Sequence, residues 1–274
     1  MTYETIEVKP VAPQIGAEVA GVDLRAPSSR QLAEMRAALL EHQVLFFRDQ
    51  VFDLEGQKAF GRHFGELHVH PGAPGAAGHP EVLPVHADAK STYIAGESWH
   101  SDVSCDLEPP MGSILHLKVV PPVGGDTLFA SMYAAHEALS ARMKTYLEGL
   151  TATHDGEVYY RGRYQDKGVD DRGKVYPRAV HPVVRTHPET RRKALYVNRM
   201  FTTRINGVSR EESDAILAYL IGHCARPEFQ VRFRWRENSV AFWDNRCVQH
   251  MALWDYFPQT RSGFRVTIKG DKPF

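Results

Sequence analysis

Ser98-Trp99-His100-Ser101-Asp102-Val103-Ser104 decides how this chain is read. It sets an imidazole and a carboxylate two residues apart, ahead of the apolar, strand-like run Ser113-Ile114-Leu115-His116-Leu117. A strand presents residues i and i+2 on one side, so His100 and Asp102 can chelate one metal without backbone strain. The third ligand must come from elsewhere, and His250 is placed to supply it. Two histidines and one carboxylate can occupy one face of an iron(II) ion and leave three positions open, enough for a bidentate cosubstrate and dioxygen.

The tripeptide alone is weak. With 14 histidines and 15 aspartates in 274 residues, about one His-x-Asp is expected by chance. A second one exists, His86-Ala87-Asp88, in a stretch of Gly, Ala, Pro and charge with no clear partner, and it reads as a surface loop. His68 and His70 in Phe64-Gly65-Glu66-Leu67-His68-Val69-His70-Pro71 also alternate, but no carboxylate stands at the right spacing. They read as substrate-binding or loop-capping groups.

At 274 residues and 43% hydrophobic content, residues 1–274 read as one domain with a substantial core. Lys+Arg and Asp+Glu balance at 33 each, so no overall field would recruit nucleic acid or an anionic membrane. There is no apolar signal segment and no run approaching a membrane span, which makes the cytoplasm the default. Cys105, Cys224 and Cys247 lack metal-site spacing, and an odd count argues against a disulfide framework. Cys247 reads as packing, not as a thiolate ligand.

The pattern predicts a helix capped by Ser29 and running to about His42, with Leu32, Met35, Leu39 and Leu40 on its buried stripe. Val44–Phe47 reads as a buried strand, and a second helix is expected over 53–64. Ser131 and Ser140 look like helix caps, and Ser209 with Glu212 forms a capping box for a helix to about Cys224. Strands are expected over 113–120, 127–131, 180–186, 194–198, 229–235, 239–243 and 264–269. Many short strands between Gly and Pro turns indicate a mainly β, mixed α+β sandwich or jelly roll flanked by helices. Residues 155–178, rich in Gly, Tyr and charge, read as a long loop, functionally a lid.

Arg261 and Arg265 are four residues apart near a predicted strand, where Phe264, Val266 and Ile268 alternate with Arg265, Thr267 and Lys269. The polar face is either solvated or turned into a barrel mouth. In the second case the guanidinium groups need anionic partners such as a carboxylate or sulfonate. Gly124-Gly125-Asp126-Thr127 is a turn entering a strand, and Trp235, Trp243 and Trp254 read as core aromatics.

The chain resembles the taurine dioxygenase family of iron(II)- and 2-oxoglutarate-dependent oxygenases, relatives of 2,4-dichlorophenoxyacetate dioxygenases. The likeness runs almost end to end, through His42-Gln43-Val44, Phe64-Gly65-Glu66-Leu67-His68, Trp99-His100-Ser101-Asp102-Val103, Gly124-Gly125-Asp126-Thr127, Tyr196-Val197-Asn198, Phe201-Thr202-Thr203-Arg204-Ile205 and Trp243-Asp244-Asn245-Arg246. It implies a double-stranded β-helix (jelly-roll) core with the metal near its open end. His100, Asp102 and His250 would be the catalytic iron ligands. Arg261, separated from His250 by the ten residues 251–260, would hold the distal carboxylate of 2-oxoglutarate together with Thr127. Arg265 and His70 match the anchors for a substrate sulfonate, Phe201 matches a pocket aromatic, and Val103 joins them as a substrate-facing residue.

Where the taurine enzymes carry a tyrosine this chain has Ala73, and their asparagine before the His-x-Asp falls near Gly96. Their Phe-bearing segment is replaced by Gly156-Glu157-Val158-Tyr159-Tyr160. A larger, more apolar pocket is expected. The resemblance implies hydroxylation of a small or medium organic anion, namely a sulfonate, alkyl sulfate or aryloxyalkanoate, with release of succinate and CO2. The hydroxylated product can then fragment. A homo-oligomer, dimer or tetramer, is the expected assembly. Two rival readings stand beside this one. A zinc or other metal hydrolase on the same ligands would have no need of a dicarboxylate clamp. A catalytically retired binding jelly roll would usually have lost a ligand.

Overall fold

The computed structural model describes residues 3–274. The chain opens with β1 (Glu7–Pro10), β2 (Ala17–Ala20), α1 (Ser29–His42), β3 (Val44–Phe47), α2 (Leu54–Arg62), β4 (Leu67–His68), β5 (Val82–Ala87) and β6 (Gly112–Val119). Next come β7 (Thr127–Ser131), α3 (Met132–Glu137), α4 (Ala141–Leu147), β8 (Thr151–Asp155), α5 (Glu157–Tyr160), β9 (Arg178–Pro182), β10 (Val184–Thr186) and β11 (Lys193–Leu195). It ends with β12 (Thr202–Ile205), α6 (Arg210–Cys224), β13 (Gln230–Phe233), β14 (Ser239–Asp244), β15 (Val248–Ala252) and β16 (Arg261–Ile268).

The major sheet runs β1-β2-β3-β14-β6-β16-β4, and β5 lies beside β4 on the outer flank of β16. The minor sheet is β13-β7-β15. Strand periodicity of two divides the major sheet into two buried faces. Val44, Phe46, Leu115, Leu117, Ala241 and Trp243 face the minor sheet and meet Phe129, Val231, Phe233 and Val248 there. Their intervening neighbours Leu45, Phe47, Ile114, Val240, Phe242, Val266 and Ile268 face α1 and α2, where Met35, Leu39 and Phe60 cover them. A sheet buried on both faces carries continuous apolar strands without alternation, which is why Val44–Phe47 was legible. The architecture is the expected jelly roll, and among the described residues no helix is long and apolar enough to cross a membrane.

The helices match the capping signals closely. Ser28 instead of Ser29 caps α1, accepting from Gln31 N at 3.2 Å while Gln31 Oε1 accepts from Ser28 N at 2.9 Å. Ser131, Ser140 and Ser209 are caps as predicted, the last with Glu212. α2 stops at Arg62, so that the chain can turn and pair Leu67 with Ile268. The strand expected over 180–186 is two strands in different sheets, the first ending at Pro182, which has no N–H for a further ladder bond. The strand expected over 194–198 ends at Leu195, and Asn198 Oδ1 accepts from Met200 N and Phe201 N in the turn beyond it.

Three further sequence readings are corrected. His86 lies on β5, not in a loop; Pro84 is tolerated there because this strand pairs only with β16. His100 and Asp102 do not share a strand: His100 forms an isolated bridge with His250, and Asp102 begins a turn. Residues 156–177 contain α5 and a 3-10 turn at Gln165–Lys167. Tyr160, Tyr164 and Tyr176 anchor this segment in an apolar cluster with Ala73, Leu83, Val103 and Phe201.

Phe46 joins the two sheets, stacking on Phe233 at 4.0 Å between centroids and tilting against Phe129 at 5.6 Å. Phe46→Ala should therefore cost about 3–5 kcal/mol in urea unfolding. A loss below about 1 kcal/mol would mean the sheets are not held together there.

Candidate active site

Two backbone bonds join the turn to the minor sheet: His250 N donates to His100 O at 2.8 Å, and His100 N to His250 O at 3.1 Å. They set the two imidazoles 4.1 Å apart between centroids. Asp102 Oδ1 lies 3.5 Å from His100 Nε2 and 3.9 Å from His250 Nε2. All three residues are buried. His100 Nδ1 donates to Ser98 O at 2.8 Å, which turns Nε2 toward Asp102. Gly96 permits this packing, because at φ +82 it needs no side chain and a Cβ would meet His100 Cε1 at 3.0 Å.

Burial would raise the Asp102 pKa, but Arg265 and the two histidines outweigh it and hold the carboxyl well below its usual range. Burial, then His100, push His250 well below the ordinary histidine value, so its ring is neutral. Two imidazoles, that of His250 neutral, and one ionised carboxylate form a donor set suited to iron(II). Within this cluster His250 Nδ1 is also buried without a partner.

Asp102 is held from outside the cluster. Its Oδ2 accepts from Ser113 Oγ at 2.7 Å, its Oδ1 from Arg265 Nη1 at 2.6 Å, and its N–H donates to Asn245 Oδ1 at 3.3 Å. Trp243 packs on the His250 ring at 4.6 Å and donates to Asn245 Oδ1 at 2.9 Å.

Arg261 is buried, yet among the described residues no carboxylate lies within ion-pair distance of it. Its Nε donates to Gly125 O at 2.9 Å and its Nη2 to Thr127 Oγ1 at 3.2 Å, while Trp235 Nε1 donates to the same hydroxyl at 2.9 Å. Burial pulls its pKa down to about 10, against Tyr256 and Asp126, so it stays charged at neutral pH. Gly125 at φ +73 makes room for it, since a Cβ would meet Arg261 Cδ at 3.2 Å. Thr127 pairs with Ala252 on β15, two residues from His250.

The remaining predicted residues gather on the other flank. His70 Nδ1 accepts from Gly72 N at 3.0 Å and Ala73 N at 2.8 Å, so its Nε2 carries the proton. Burial, then Arg265, lower its pKa to about 3. Phe201 and Val103 are buried in the tyrosine cluster, and Val103 adopts φ +47, an unusual left-handed conformation for a β-branched residue. Beyond Ala73, Leu83 and Tyr164 opens a cavity of about 470 Å³, bordered also by Tyr93 and Ala95.

Two features count against the rival ligand groups. His86 is exposed and, among the described residues, its ring bonds only to Asp88 and Ser262. His187, Asp244 and Cys247 also cluster, but Arg246 engages both Asp244 oxygens and His187 has a partner at each nitrogen. Burial pushes the Cys247 thiol well up, as expected of a packing cysteine.

Sequence reasoning missed Ser113, Asn245, Trp235 and Arg163 as site residues. A lone hydroxyl in the inward series Ser113, Leu115, Leu117 was the available signal for the first. Arg163 had none, because all its partners but Tyr159 are remote in sequence. It lies over Tyr93 at 4.6 Å and Tyr159 at 4.2 Å and donates to Ile94 O at 2.6 Å and Glu97 Oε2 at 2.6 Å.

A jelly roll with a buried histidine–carboxylate–histidine cluster at its mouth, and an unpaired arginine beside it, defines a class of metal-dependent jelly-roll enzymes. The chain belongs to the taurine catabolism dioxygenase TauD, TfdA family, whose model matches residues 7–267. An alpha-ketoglutarate-dependent sulfate ester dioxygenase of Pseudomonas putida is 38% identical over 98% of this chain and 91% of its own length. An alpha-ketoglutarate-dependent sulfonate dioxygenase of Saccharomyces cerevisiae is 34% identical over 98% of this chain and 68% of its own. The crystal structure of a taurine dioxygenase from Burkholderia xenovorans superposes with TM-score 0.85 at 39% identity, covering 98% of this chain and 91% of that one.

Arg163 ties segment 157–167 to the loop that leads into His100. Arg163→Ala should speed amide exchange across 157–167 at least tenfold while β3 and β14 keep their protection. Unchanged exchange in the segment would show that the arginine does not restrain it.

Proposed function

We propose that residues 1–274 act as one oxygenase unit in which His100, Asp102 and His250 hold iron(II), and Arg261 with Thr127 binds the distal carboxylate of 2-oxoglutarate. The protein is an iron(II)- and 2-oxoglutarate-dependent dioxygenase. The observation that carries the cosubstrate reading is Arg261, a buried guanidinium with a hydroxyl beside it and no carboxylate of its own. Burying an unpaired charge is costly, and a bidentate carboxylate is the natural partner of a guanidinium fork. A hydrolase would have no use for that arrangement.

Bound iron(II) would supply dioxygen activation coupled to oxidative decarboxylation of 2-oxoglutarate. In balance, substrate C–H, 2-oxoglutarate and O2 give substrate C–OH, succinate and CO2. The chain's own residues do the positioning. His100 and His250, backbone-bridged, present their nitrogens, His250 as the neutral ring, while Asp102 stays ionised against its burial. Arg265 and the His70 Nε2–H are the donors offered to a substrate anion. Phe201, Val103, Tyr160 and Tyr164 exclude water around it, which keeps a reactive oxidant from side reactions.

The substrate reading is an organic anion with an apolar body: a sulfonate, an alkyl sulfate or an aryloxyalkanoate. Sulfonates and sulfate esters are the substrates named for the relatives. The cavity of about 470 Å³ behind Ala73, Leu83 and Tyr164 supports a body larger than that of taurine. We also propose that segment 156–177 serves as the lid over this space.

Two outcomes are expected. In wild-type protein, 2-oxoglutarate at 100 times its Kd should raise unfolding stability by ~2.7 kcal/mol, and Arg261→Met should abolish most of that gain. An undiminished gain would remove Arg261 from the cosubstrate site. Succinate release with iron(II) and oxygen should be stimulated by alkyl sulfates or aryl-bearing sulfonates more than by taurine. Equal, unstimulated release across the panel would reject the anionic-substrate reading.

A further inference from the structure

Ser113 is the one hydroxyl in the inward-facing series Ser113, Leu115, Leu117 of β6, and it is fully buried between Trp243 on β14 and Thr267 on β16. A hydroxyl in such a place is costly unless both its donor and acceptor capacities are used. Here both are used, and their direction is fixed. Asn245 Oδ1 receives two groups that can only donate, Trp243 Nε1 at 2.9 Å and Asp102 N at 3.3 Å. That orients the Asn245 amide so that Nδ2 donates to Ser113 Oγ at 2.9 Å. The Ser113 O–H is left to donate to Asp102 Oδ2 at 2.7 Å.

Asp102 therefore has two unlike oxygens. Oδ2 is turned to Ser113, whereas Oδ1 faces His100 Nε2 at 3.5 Å and His250 Nε2 at 3.9 Å. Arg265 also reaches Oδ1, but a carboxylate oxygen has two lone pairs and can serve both. We propose that Ser113, oriented by Asn245, is a positioning residue that holds Asp102 to a single metal-facing oxygen. The consequence is a count of sites. Two imidazoles and one carboxylate oxygen leave three positions of six open, and a second carboxylate oxygen would take one of the positions that cosubstrate and dioxygen need.

This inference rests on His100, Asp102 and His250 as the ligands, and manganese(II) tests the two separately. Free Mn(II), followed by its electron paramagnetic resonance during titration, reports affinity. Water-proton relaxation of the bound ion reports how many exchangeable waters it keeps. Threonine and valine have nearly the same shape and differ by the hydroxyl, so Ser113→Thr and Ser113→Val are compared. Ser113→Thr should match wild type. Ser113→Val should bind Mn(II) about 10–100-fold more weakly and lose about one third of the inner-sphere water signal. Ser113→Ala, which adds no atoms, supplies the same comparison if valine does not fit beside Trp243. Equal affinity and equal relaxation in the Thr and Val (or wild-type and Ala) proteins would overturn the positioning role. If wild type itself fails to bind Mn(II), or if His100→Ala binds as wild type does, the ligand assignment fails first and this inference fails with it.

Discussion

The rest of the site depends on two backbone hydrogen bonds, those exchanged between His100 and His250. They join a turn leading out of a long irregular segment to β15 in the minor sheet, and so bring together residues 150 positions apart in the chain. Backbone bonds of this kind tolerate little displacement, so the imidazoles inherit the rigidity of the sandwich. The sandwich in turn relies on Phe46, Phe129 and Phe233 to keep its sheets in contact. Preorganisation here comes from the main chain, and the side chains Ser113, Asn245 and Trp243 refine it.

The two arginines of β16 behave differently although both lie on its inward face. Arg265 has an anion within reach, Asp102 at 2.6 Å. Arg261, four residues earlier, has only a carbonyl and a hydroxyl. One is compensated by a carboxylate of the protein, and the other has none within ion-pair distance among the described residues. Desolvation makes the second arrangement unfavourable in isolation, which is the physical basis of the proposed carboxylate site. Trp235, 5.6 Å from the guanidinium, contributes a face that a cation tolerates without neutralising its charge.

The flank proposed to meet substrate is built from aromatic rings with few donors. Tyr160, Tyr164, Phe201 and Val103 form an apolar wall, and His70 is held neutral by its burial and by Arg265. The wall continues to Ala73 and Leu83, which border the outer cavity as well. Short segments and tyrosine packing give this wall fewer backbone restraints than the sheets have. The Arg163 clamp, with its contacts to Tyr93, Tyr159 and Glu97, compensates for that.

The local signals that proved legible were those whose physics is local. Ser131, Ser140 and Ser209 cap helices because a side-chain oxygen satisfies an N–H two or three residues on. Val44–Phe47 declares a doubly covered strand by composition alone. β5 and β15 were not legible, because Pro84 and the polar residues of Val248–Ala252 make sense only beside β16 and β7. The motif residues His100, Asp102, His250, Arg261 and Thr127 could be named from the chain, as could the jelly-roll class. What tertiary structure alone decided is which atoms meet. The His-x-Asp pair was expected on a strand and lies instead at a bridge and a turn. Ser113, Asn245 and Arg163 each rely on a partner at least 66 residues away, and burial and hydrogen-bond direction are properties of the packed fold and of no single segment.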